Sequence, residues 1–197
     1  MLSNEDIPIK GNKDGFDYFY YYDYYPRHFK VNELLENQRK YIMDFRNGLV
    51  DNNIISEKLI NDLNYIELGS KVSDWWFCII PTINQERTDK RFKSLCESFS
   101  NMSTINNGFD ILKNNPFIDT IIYEIDRRCA DMLHHCNYEN VSNRKIILFD
   151  DVISSGTTFS TVANELIALG ALEVKGVFLG KVYCPKEELE ESIIDIQ

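Results

Sequence analysis

KIILFDDVISSGTTFSTVANELIAL, residues Lys145 to Leu169, is the stretch whose reading decides the fold. Ile146, Ile147, Leu148 and Phe149 form an apolar run without alternation, the pattern of a strand buried on both faces of a parallel sheet. Asp150 and Asp151 end the run. Val152 and Ile153 follow, then a small polar loop of Ser154, Ser155, Gly156, Thr157 and Thr158. Helical spacing takes over at once, with Phe159, Val162, Ala163, Leu166 and Ile167 on one face. Gly170 stands where a helix closes in the left-handed conformation.

Each part of this order has a chemical use. A helix N-terminus offers unpaired N–H groups and the positive end of the macrodipole, so a phosphate can sit there. Gly156 lets the backbone approach that phosphate, and the neighbouring hydroxyls add donors. Carboxylates just before the loop would repel a phosphate, but they accept hydrogen bonds from sugar hydroxyls. The implied ligand is a sugar phosphate, with ribose on Asp150 and Asp151 and its 5′-phosphate in the loop. A Ser/Gly turn before a helix often serves only as a cap. Two successive carboxylates are harder to explain as scaffolding, because they would repel each other. No Lys follows the glycine, so this is not a Walker loop.

IILFDDVISSGTT resembles the phosphoribosyl-diphosphate (PRPP) binding motif of type I phosphoribosyltransferases: hydrophobic residues, an acidic pair, then a Ser/Thr-Gly-x-Thr loop. Downstream, ELIALGALEVKGVFLGKVY is similar to that family's helix, Gly-Ala turn and next strand. The resemblance implies a PRPP site formed by Asp150, Asp151, Val152 and Ile153 together with the loop from Ser154 through Ser155, Gly156 and Thr157 to Thr158.

Composition excludes several classes. The 197 residues suffice for one domain with a core, and 44% hydrophobic with 26% charged residues is a globular profile. No apolar run approaches the ~20 residues of a membrane helix. The polar start MLSNEDIPIKGNKDG is unlike a secretory signal, so a cytoplasmic location is expected. A net charge of −10 disfavours nucleic acid as a partner. Cys78, Cys96, Cys129, Cys136 and Cys184 are scattered and odd in number, and read as reduced thiols.

Residues 1–15 read as an arm without a legible function. FDYFYYYDYY, residues 16–25, holds eight aromatics in ten positions. It reads as a β-rich segment or aromatic cluster packed on the domain or on a second subunit, in preference to a base-stacking platform. A helix is expected from about Asn32 to Asn47, with Leu34, Leu35, Gln38, Tyr41, Ile42 and Phe45 on one side, broken by Gly48. A second helix should start at Ser56 as its cap and turn Leu59, Ile60 and Leu63 inward.

WWFCIIP, from Trp75 to Pro81, is a strand that stops at proline. In the family resembled, an early core strand ends in a loop that cradles diphosphate, which places Pro81, Thr82, Ile83 and Asn84 there. QERTDKRFKS then sets Arg87, Lys90, Arg91 and Lys93 within seven residues. Such a run is commonly a solvated turn. Beside a diphosphate site it can draw in and cover an anion, and the resemblance gives Arg87, Lys90 or Arg91 the role of stabilising the leaving diphosphate. IIPTINQERTDKRFKSLCESF is also similar to the ComF-like branch, although the glycine between Arg91 and Phe92 and the cysteine-rich zinc module are absent.

Lys93 to Met102 reads as helix, residues 103–116 as a polar loop, and Ile118 to His135 as mostly helical. Cys129, His134, His135 and Cys136 invite a metal reading, but Cys129, Met132, Leu133 and Cys136 fit one helical face and read as core. Val174 to Tyr183 supplies another buried strand, and Pro185 can open a last helix.

The expectation is therefore a single α/β domain over residues 1–197: a three-layer, Rossmann-like parallel sheet flanked by helices, as in the phosphoribosyltransferases. Residues 1–70 would form an aromatic and helical extension or the hood of the base pocket. By resemblance, the chain would transfer the phosphoribosyl group of PRPP to a nitrogenous base with Mg²⁺, releasing diphosphate. The metal would ride on PRPP, with Asp150 or Asp151 as a further ligand. The competing reading is a PRPP- or nucleotide-sensing regulator without chemistry. A homodimer, or a protein partner at the aromatic segment, is expected in either case.

Overall fold

The computed structural model describes residues 2–3, 5–69, 71–82, 84–114, 134–136 and 141–183. Asp14 and Gly15, with φ of 53° and 91°, fold strand β1 (Ile9–Lys13) back on β2 (Phe16–Tyr24). Two helices follow, α1 (Glu33–Arg46) and α2 (Asn52–Asn61), and then β3 (Trp75–Ile79). The next helical run opens as α3 (Gln85–Thr88), widens into a π turn at Asp89–Lys93 and continues as α4 (Ser94–Met102). After β4 (Asn106–Asn107), β5 (Leu112–Asn114) pairs antiparallel with β6 (His134–Cys136). The chain then enters β7 (Lys145–Ile153), α5 (Thr157–Ala168) and β8 (Glu173–Val182).

Six strands make one sheet in the order β1-β2-β8-β7-β3-β4. β1 is antiparallel, and the other five are parallel. Strand β7 lies between β3, with Ile79 opposite Phe149, and β8, with Asp150 opposite Phe178. From β3 the chain moves outward to β4, whereas from β7 it moves the other way to β8. The β3–β7 boundary is thus a topological switch point, the place where open α/β sheets commonly bind their ligands.

The unalternating apolar run of β7 is explained by a core on each face of the sheet. On one face Phe149 meets Phe45 of α1, and Phe77 stacks on Phe99 of α4 with centroids 4.3 Å apart. On the other, Phe159 of α5 meets Tyr18 and Phe178 edge-on at 6.1 and 5.6 Å. Burial of each such ring stabilises the fold by roughly 1.5–3 kcal/mol. Gly176 in β8 makes room for Phe159, whose ring atoms would lie 2.8–2.9 Å from any added Cβ. That close approach sets the first turn of α5 down on the sheet.

The aromatic segment is a strand of this sheet, with Tyr18, Phe19, Tyr21 and Tyr22 buried within the subunit. Tyr21 donates to Asp62, which also pairs with Lys58 at 2.7 Å, so α2 is locked to β2 by a buried polar network. Several sequence expectations are corrected. Within residues 1–15, read as an arm without legible function, Ile9–Lys13 is a strand. Helix α2 starts at Asn52 with Asp51 as cap, and Ser56 is buried inside it. Leu34 is 64% exposed, on the outer side of α1. Residues 103–114 carry two short strands with Ile111 and Leu112 buried, and His134–Cys136 is extended rather than helical. The Cys129 side of the metal reading, most of the expected Ile118–His135 helix and the helix after Pro185 lie outside the described residues. Among the described residues no helix is long and apolar enough to cross a membrane.

Candidate functional site

Three segments meet at the carboxyl ends of β3 and β7. The first is the turn from Ser154 to Thr158. Gly156 takes φ 76° and ψ 2° immediately before α5, a left-handed conformation that a side chain would strain. Ser154, Ser155, Thr157 and Thr158 are exposed around it. The Ser155 and Thr157 hydroxyls lie 3.0 Å apart, and the Thr157 amide points to the Ser155 oxygen at a long 3.4 Å. The helix therefore starts without a close side-chain cap from Gly156, its N-cap residue. Lys13, at the end of β1, lays its side chain against Gly156.

The second segment is the acidic pair. Strand pleating sends consecutive residues to opposite faces, so Asp151 shares a face with Phe149 and Asp150 shares one with Leu148. Asp151 is 3% exposed and fully engaged. Arg46, from the last turn of α1, gives it a two-pronged contact, Nε to Oδ2 at 2.7 Å and Nη2 to Oδ1 at 2.8 Å. Arg91, from the π turn, adds Nη1 to Oδ2 at 3.0 Å. Asp150 is partly buried and accepts the Asp151 amide at 2.7 Å. Burial, followed by the nearby Asp151 charge, holds its carboxyl well above the usual carboxylate range.

The third segment is the loop after β3. The Thr82 amide donates to the Thr88 hydroxyl at 2.9 Å, and the Thr82 hydroxyl donates to the Asn84 carbonyl at 2.8 Å. The Asn84 carboxamide caps α3 by accepting from the Arg87 amide at 3.0 Å. The loop's polar groups thus fix its own shape, and Pro81 is buried.

Of the residues expected at the site, Asp150, Asp151, Val152 and Ile153 and the loop Ser154–Thr158 run on from the carboxyl end of β7, with Pro81, Thr82 and Asn84 following β3 across the switch point. Ile83 lies outside the described residues. Among the three cations, Arg91 alone reaches the acidic pair. Arg87 and Lys90 are exposed, and Lys90 packs beside Gly48. The sugar-hydroxyl role expected of Asp151 conflicts with its surroundings, because both its oxygens are held by guanidinium groups in a closed environment.

Two residues beside these segments were missed in sequence. Arg46 reads in sequence as an ordinary last-turn cation of an amphipathic helix, and nothing local announces a partner 105 residues away. Lys13 was findable, since Asp-Gly between two extended runs is a hairpin signal that would have placed β1 beside β2. In chemical terms, the arrangement gathers exposed hydroxyls at a helix N-terminus beside the Lys13 side chain, whose ammonium lies 3.5 Å from Asp14, and sets a raised-pKa carboxyl in the strand just before them. Among the described residues no group of three or more metal-ligating side chains is assembled. Compared with known proteins, the chain matches no family model and no curated protein.

Proposed function

We propose that the chain binds the 5′-phosphate of PRPP at the Ser154–Thr158 turn and transfers the phosphoribosyl group to a nitrogenous base, on a phosphoribosyltransferase-like sheet. One observation carries this reading: a left-handed glycine among exposed hydroxyls opens a twelve-residue helix beside the switch point. Arg46 and Arg91 supply cationic charge at the place where diphosphate would leave. In the reaction the C1–O bond to diphosphate breaks, a C1–N bond to the base forms, and the base loses a proton to solvent. Positioning and charge stabilisation account for most of the protein's work in such a step.

Asp150, rather than Asp151, is the carboxylate offered to the ribose, because among the described residues only one of its oxygens is taken. Mg²⁺ would supply charge neutralisation on the phosphates and enter bound to them, with Asp150 as the available protein oxygen; it prefers such sites to an all-protein cage.

Titration calorimetry with Mg²⁺ and PRPP tests the reading, together with a diphosphate-release assay over a panel of bases. Native chain should bind PRPP, and the Ser155→Glu/Thr157→Glu double variant should bind at least about tenfold more weakly through charge repulsion. Equal affinity of the two proteins removes the turn from the site. The pairing of Asp151 with both arginines favours a second reading, a PRPP sensor without turnover. Tight binding with no diphosphate released by any base would establish that alternative.

A further inference from the structure

We propose a second anion site, apart from the β7 turn, in the groove between residues 27–31 and the outer side of α1, taking a phosphorylated ligand of nucleotide size. The groove has a volume of about 810 Å³, within the range of small-molecule sites. Four cations line it, Arg27, Lys30, Arg39 and Lys40, against two acids, Glu36 and Asp44. This local excess of positive charge stands on a chain whose net charge is −10. Among the described residues Arg27, Lys30 and Lys40 form no ion pair, whereas Arg46, Lys58 and Arg91 are each held by a carboxylate.

Arg39 makes the groove a built feature rather than a loose charged surface. It is 7% exposed, its Nη2 pairs with Glu36, and its Nη1 makes only a long 3.4 Å contact to the Pro26 carbonyl. Its Nε is shut off from water and, among the described residues, has no hydrogen-bond partner. The packing thus holds one guanidinium at the groove wall, and an anion in the groove meets this charge together with those of Arg27, Lys30 and Lys40. Phe29 and Met43 add apolar surface, so the ligand that fits pairs phosphate with a flat ring. The groove runs along the helix that ends in Arg46, so occupancy there can be felt at Asp151.

The site stands independently of the transferase reading. Its test is calorimetric titration of the full chain with ADP, with adenosine as the uncharged control. Native chain should bind one ADP and adenosine far more weakly. Lys30→Glu/Lys40→Glu, both at exposed positions, should weaken ADP binding at least about tenfold with an unchanged circular dichroism spectrum. Arg27→Ala, outside any helix or strand, should weaken it in the same direction if the double reversal disturbs folding. The Ser155→Glu/Thr157→Glu variant should bind ADP as the native chain does. The proposal is overturned if native chain takes up no ADP, if adenosine binds as well, if the groove variants bind normally, or if the turn variant abolishes binding.

Discussion

Asp150 and Asp151 are adjacent in sequence and opposite in circumstance. Asp151 faces the helical layer of α1 and α4, where two arginines enclose it. Asp150 faces the α5 side, with no cation bonded to it among the described residues and a pKa raised by burial and by its neighbour's charge. The difference follows from the two-residue period of a strand, which separates neighbours onto different faces. Two consecutive carboxylates in a strand therefore need not act as a pair. One here anchors a helix and a π turn to the carboxyl end of the strand, while the other accepts a backbone amide.

The sharpest way to break this contrast is Asp151→Ala. Arg46 and Arg91 would lose their shared partner, and removal of one member of a buried ion pair costs roughly 3–5 kcal/mol. Urea unfolding should show a loss of that order; a loss below about 1 kcal/mol would reclassify the cluster as a surface contact. Gly156→Ala addresses the α5 side. A non-glycine residue in the left-handed region costs about 1–2 kcal/mol, and the added Cβ would also meet Lys13. Adding Lys13→Ala should recover the contact part of the loss and leave the backbone part.

Asp150→Asn has the smallest effect and the opposite sign. A carboxyl whose folded pKa is raised binds its proton more tightly in the native state. Its stability contribution is present below the unfolded pKa and is lost as pH rises through the folded value. Asn keeps the acceptor for the Asp151 amide without that loss, so the variant should be more stable than native chain at neutral pH. The gap should close as pH falls towards the ordinary carboxylate range. A gap that widens on acidification would place Asp150 with its neighbour, as a carboxylate stabilised in its charged form.

What was legible in sequence was local and periodic. The run Ile146–Phe149, the turn at Gly156 and the helix ending before Gly170 (φ 96°) are each written in a few neighbouring residues. Ser56 misled because a hydroxyl inside a helix looks like a cap when Asp51, the true one, lies five residues earlier. The Arg46–Asp151 bond was not legible, since it depends on α1 crossing the strand ends, a tertiary fact without a sequence period. Thr82 and Asn84 follow β3, and their use in holding their own loop is a matter of hydrogen-bond geometry that the sequence does not spell out.

The wide turn at Asp89–Lys93 has a consequence for how this molecule can change over generations. Each circuit there carries one residue more than a regular helix, and one residue corresponds to about 100° of rotation. Arg91 sits within this widened turn and pairs with Asp151 from it. A single-codon deletion would let the helix tighten and swing the guanidinium aside, so the length of this turn is a ready dial between a clasped and an open strand edge.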